Sequence, residues 1–176
     1  MPFAFSKRSF SRRDILKVFA GRMKQDATPA LQTGIDPLSR SIDHLIDIRD
    51  YEQATKKLES LLQKSPDHIQ AQRKLGFCLT RIGRLAEAEK IFSGILRHLP
   101  HDPFALLHQG VNFARQNRLD QAIEVWRLYF NTDQPSIQRA VNLQIALYET
   151  KAPADPQEAA DQIMKAIADQ QKMDQG

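Results

Sequence analysis

Cysteine is nearly absent from this sequence. Cys78 stands alone, which excludes an intramolecular disulfide and a cysteine-based metal cluster. Long apolar runs are missing too: no segment approaches the roughly 20 consecutive apolar residues that a membrane-spanning helix requires. Any contact with a membrane is therefore expected at its surface. No phosphate loop, no H-E-x-x-H pair and no nucleophile elbow occurs, so no motif announces catalysis. What remains suffices for a core, because 41% of the 176 residues are hydrophobic, enough for one ordinary domain and a tail.

Acidic residues are almost missing from the first 24 positions. Lys7, Arg8, Arg12, Arg13, Lys17, Arg22 and Lys24 face only Asp14 there, a surplus of six positive charges. The rest of the chain holds 18 basic and 20 acidic residues. The net charge of +4 thus belongs to an arm and not to the body. A globular nucleic-acid binder is expected to carry its positive patch on the folded domain, so no nucleic acid is expected as a partner.

Within the arm, SRRDILK (11–17) is similar to the recognition motif of twin-arginine export signals, S/T-R-R-x-F-L-K, with Ile15 in the place of Phe. Export also needs an apolar segment of about 7–15 residues. Only Val18, Phe19, Ala20 and Gly21 precede Arg22, so a functional export signal is not expected. The same letters read as a helix start, Ser11 and Asp14 capping it in the manner of an S-x-x-E box. Ile15, Leu16, Phe19 and Met23 fall on one face and Arg13, Lys17 and Lys24 on another, a short basic amphipathic helix. Residues 1–24 are read as a contact arm, with Arg12, Arg13, Ile15, Leu16, Lys17 and Phe19 as its contact residues. An anionic lipid surface, an acidic partner or a groove would each suit it, and a mitochondrial import sequence has the same character. Residues 25–37, with Pro29, Gly34 and Pro37, read as a linker.

Beyond it the chain repeats itself. DYEQATKKLESLLQKSPDH (50–68) aligns with RLAEAEKIFSGILRHLPHD (84–102) and with RLDQAIEVWRLYFNTDQPS (118–136), each offset by 34 residues. Ala54, Ala88 and Ala122 coincide, as do Leu58, Phe92 and Trp126. Gly76 matches Gly110 in the preceding halves, and Pro66 matches Pro100. Small residues allow two helices to cross at 8–10 Å, and the prolines stop helices and set turns.

This pattern resembles the tetratricopeptide repeat, a 34-residue helix-turn-helix unit. The resemblance implies an all-α fold, a right-handed superhelix of stacked helix pairs. Three repeats are expected at 35–68, 69–102 and 103–136, with a degenerate fourth at 137–170. Together they make a domain over 38–170, followed by a frayed tail at 171–176. The first repeat has Ile42 where the others have glycine.

No cofactor or metal is expected. His98 and His101 flank Leu-Pro, with Asp102 or His108 near enough to complete a ligand set, but the Pro turn gives the pair no enforced orientation and the two read as turn residues. Cys78 reads as a small buried hydrophobe. Trp126, Phe92 and Tyr129 read as core.

The family uses the concave side of its superhelix to hold partners. Carried over by repeat position, this implies a groove lined by Asp43, Arg73, Phe77, Thr80, Phe104, Leu107, Val111, Val141, Ile145 and Tyr148. The carboxylate clamp of the chaperone-binding branch is not reproduced, since Asp43, Phe77 and Val111 occupy its asparagine position. The lining predicts a peptide or helix with an apolar face and a basic end, which describes residues 11–24 as well as a foreign partner. The alternative is that the fourth repeat tilts and covers the apolar residues itself. The functional expectation is a non-catalytic, cytoplasmic adaptor that binds a peptide or protein. A peripheral membrane assembly factor tethered by the basic arm is the second reading.

Overall fold

In a computed structural model, residues 37–151 and 155–174 are described, and they form eight α-helices. These are α1 (Pro37–Asp47), α2 (Tyr51–Lys64), α3 (Ile69–Arg81), α4 (Leu85–His98), α5 (Pro103–Arg115), α6 (Leu119–Trp126), α7 (Pro135–Glu149) and α8 (Pro156–Asp174). No strand occurs among the described residues. The arm, with its twin-arginine-like motif, and most of the linker lie outside them.

Helix starts follow local chemistry. Asp50 caps α2 by accepting from the Gln53 amide at 3.1 Å, and His68 Nδ1 caps α3 by accepting from Ala71 at 3.2 Å. Asp102 accepts from Ala105 at 2.8 Å, with Pro103 in the first turn of α5 where its missing N–H is harmless. Pro135 and Pro156 open α7 and α8.

The turn joining the two helices of each unit has one backbone signature. Arg49, Gly83, Asn117 and Lys151 carry the positive φ values of 63°, 81°, 59° and 54°. They are spaced by 34 residues, the period of the sequence repeat. After Arg49, Gly83 and Asn117 the next amide reaches back to the last turn of the helix: Asp50 to Leu45, Arg84 to Leu79 and Arg118 to Phe113, at 2.8–3.0 Å. This left-handed cap closes the helix and reverses the chain.

Between paired helices the side chains match in size. A Cβ on Gly76 would lie 2.6 Å from the Phe92 ring, and one on Gly110 only 2.1 Å from Nε1 of Trp126. That indole instead donates to the Leu107 carbonyl at 3.1 Å. In the first unit Ile42 and Leu58, at the corresponding repeat positions, are both buried in one core cluster.

Two features depart from the regular repeat. The second helix of the third unit stops at Trp126; residues 127–129 tighten into turns, Leu128 bonding to Val125 and Tyr129 to Trp126, yet Tyr129 still packs into the core. The last helix, α8, packs on α7 and also back on α5. It stays helical through Asp174, past residue 171 where fraying was expected. Ala159, Ala160 and Ile163 of α8 share a core cluster with Val111 and Val141.

Candidate functional site

The described residues enclose a cleft of about 840 Å³ between α1, α3, α5 and α8. Its apolar wall is built from Tyr51, Phe77, Phe104 and Leu107, and α8 supplies Met164 and Ile167 across from them. Phe77 and Phe104 are half-buried, each with part of its ring open. They belong to equivalent helices of successive units, which brings them to one side of the stack.

His108 lines this cleft one helical turn after Phe104. Its exposure is 3%, and three phenyl rings hold it: Phe104 at 4.2 Å between centroids, Phe77 edge-on at 5.4 Å and Phe92 stacked at 6.2 Å. Burial pushes its pKa down to about 4 from 6.5, because a cation among these rings loses its hydration. The imidazole is therefore neutral near pH 7. No hydrogen bond to it is made by the described residues.

Charge is concentrated at the rim. Arg49, Lys74, Arg81 and Lys165 line the cleft against Asp43 and Asp47. Lys74 is paired with Asp43, and the Arg81 guanidinium sits 5.3 Å from the centre of the Tyr51 ring.

Of the residues expected from sequence, Asp43, Phe77, Phe104 and Leu107 line the cleft. Arg73 is turned to the buried Asp102, its Nε donating at 3.0 Å, so it braces the start of α5. Thr80 bonds back to the Gly76 carbonyl at 2.9 Å. Val111 and Val141 are core residues, 1% and 0% exposed, because α8 lies over them. Ile145 packs against the same cluster, and Tyr148 donates to Asp120 at 2.9 Å. The packing of α8 on α5 and α7 covers Val111 and Val141. The arm residues Arg12, Arg13, Ile15, Leu16, Lys17 and Phe19 lie outside the described residues.

Tyr51, Lys74 and His108 were not assigned to the groove from sequence. The signal for His108 was its spacing of four from Phe104, which puts both on one helix face. Its neighbours His98 and His101 drew attention to metal ligation instead. Among the described residues no three His, Cys, Asp or Glu side chains are placed to share a metal ion. Cys78 is buried, and burial pushes its thiol up to about 12, which keeps it protonated and unreactive.

The 34-residue recurrence of glycine–aromatic contacts and left-handed turns is the geometry of a known repeat. Residues 45–109 match the family model of the tetratricopeptide repeat. This segment belongs to that family. A relative from Dictyostelium discoideum, "ER membrane protein complex subunit 2", is 33% identical over 99 residues, which is 56% of this chain. The chain spans about a third of that relative's length, 31%. A solved structure, the "MamA RS-1 ArsTM double mutant", superposes with a TM-score of 0.56 at 19% identity, covering 90% of this chain and 83% of that one. The likeness extends the helical-repeat fold beyond the segment matched by the family model. No described helix is long and apolar enough to cross a membrane.

Proposed function

We propose that the protein is a non-catalytic scaffold that holds a peptide or helix of a protein partner in the cleft between α1, α3, α5 and α8. One observation carries this reading: Phe77 and Phe104 stand half-buried side by side on the repeat face that opens into a cleft. Rings held in that state by the fold offer apolar area to a partner at little further ordering cost. Tetratricopeptide repeats are interaction modules, and the relative's membership of a multisubunit complex supports a place for this chain in an assembly.

The test is co-purification from membrane and soluble fractions with the intact chain, Phe77→Glu, and Leu143→Glu on an exposed site outside the cleft. Partners are expected with the wild type and Leu143→Glu and to be lost with Phe77→Glu. An unchanged partner set with Phe77→Glu would sink the reading.

A second reading is peripheral membrane association through residues 11–24. The charge surplus of the first 24 residues and the membrane complex in the relative's name favour it. Binding of the arm to anionic lipid is expected to fall steeply as salt rises, whereas apolar binding in the cleft persists.

A further inference from the structure

We infer that the cleft is built for an acidic segment of a partner protein anchored by a tyrosine, with the phenol seated against His108 and the acidic residues facing the rim. The inference rests on the reading that the cleft is the partner site.

The first argument is an incomplete polar group. His108 is 97% buried on the 3% exposure of its surface, lines the cleft, and receives no hydrogen bond from the described residues. A ring nitrogen at the cleft that no described residue bonds can take its hydrogen bond from a ligand seated there. A neutral imidazole has one donor and one acceptor nitrogen, and a phenol can both donate and accept. It therefore satisfies whichever nitrogen meets the cleft. The flat rings of Phe77 and Phe104 beside His108 call for a planar apolar body behind that polar tip. Serine and threonine lack the body, and an indole only donates.

The second argument is charge. Four basic side chains line the cleft against two acidic ones, and Asp43 is already engaged by Lys74. No carboxylate of the described residues forms an ion pair with Arg49, Arg81 or Lys165. The basic ligand end expected from Asp36, Asp43 and Asp47 gives way in this proposal to an acidic one. Acidic residues flanking the anchor complement this rim and would be steered to it.

The experiment selects from a random peptide library displayed against the intact chain, then measures synthetic copies by fluorescence anisotropy. Enriched peptides are expected to carry a tyrosine flanked by Asp or Glu. Exchanging that tyrosine for phenylalanine should weaken binding roughly fivefold, the worth of one hydrogen bond. Arg81→Glu combined with Lys165→Glu, both at exposed sites, should weaken it at least tenfold. In His108→Phe the preference for tyrosine over phenylalanine should vanish. If His108→Phe does not fold, as judged by circular dichroism, the peptide exchange and the rim variants still decide.

Peptides that bind, are lost with Phe77→Glu, and yet are basic or lack tyrosine would overturn this inference while the cleft remains the partner site. Enriched peptides indifferent to Phe77→Glu, or no enrichment at all, would overturn the cleft reading and this inference with it.

Discussion

Protonating His108 would put a positive charge among Phe77, Phe92 and Phe104, and the fold resists it by holding the pKa at about 4. In the unfolded chain the same imidazole accepts a proton near its ordinary value of about 6.5. Between pH 6.5 and 4 the unfolded state binds the extra proton, so stability rises with pH through that window and is lost as the solution is acidified. The loss is on the order of 3 kcal/mol by pH 4. Replacing His108 by Phe removes this contribution, and urea titrations at pH 7 and pH 4.5 measure it as a smaller acid sensitivity than the wild type shows. Equal sensitivity would mean that another group titrates. Gly110 is constrained in a different way, by the absence of room. Alanine is favoured over glycine in a helix by about 1 kcal/mol, but its methyl would meet the Trp126 indole at 2.1 Å. The clash wins. Gly110→Ala is expected to cost a net 1–3 kcal/mol, read as a lower denaturant midpoint, with a shift in Trp126 fluorescence as the indole leaves the Leu107 carbonyl.

At the scale of elements, the turns at Arg49, Gly83, Asn117 and Lys151 repeat a conformation that only one of them has the residue to adopt freely. Gly83→Ala should destabilise by about 1 kcal/mol, and Asn117→Gly should be neutral or slightly stabilising, both by thermal unfolding. A loss on the asparagine exchange larger than that at Gly83 would show that the side chain of Asn117 matters more than its backbone. These turns also mark what was legible in the sequence. Gly76, Gly110 and the alanines announce the helix pairs because close approach restricts residue type at those positions. The left-handed turns are silent, since arginine and lysine can be forced into them by the helices on either side. The cleft was half legible. Phe77, Phe104 and Leu107 follow from repeat position, whereas the burial of Val111 and Val141 depends on α8. Its packing against α5 is a long-range choice that no local spacing encodes. His108 was not placed in the groove from sequence, because its neutrality and its seat are properties of its three aromatic neighbours.

Taken as a whole molecule, a stack of repeats in which each unit touches only its neighbours would behave as a one-dimensional chain, able to open from either end in steps. Here α8 bypasses that order by settling on α5 as well as α7, and Arg115 on α5 pairs with Asp161 on α8. Among the described residues the first end has no such bracket: α1 is a single helix of 11 residues with Ile42 as its buried residue. The two ends should therefore differ in native-state hydrogen exchange. Amides of α5, α7 and α8 are expected to exchange together, through one cooperative opening, while those of α1 exchange sooner and independently. Exchange of α8 well ahead of α5 would break the argument. If the coupling holds, α8 acts as a latch: the wall bearing Met164 and Ile167 cannot swing away without unfolding the helix that carries Phe104 and His108. A partner then meets a cleft whose width is fixed before it arrives, and its association rate should be set by encounter and not by waiting for the cleft to open.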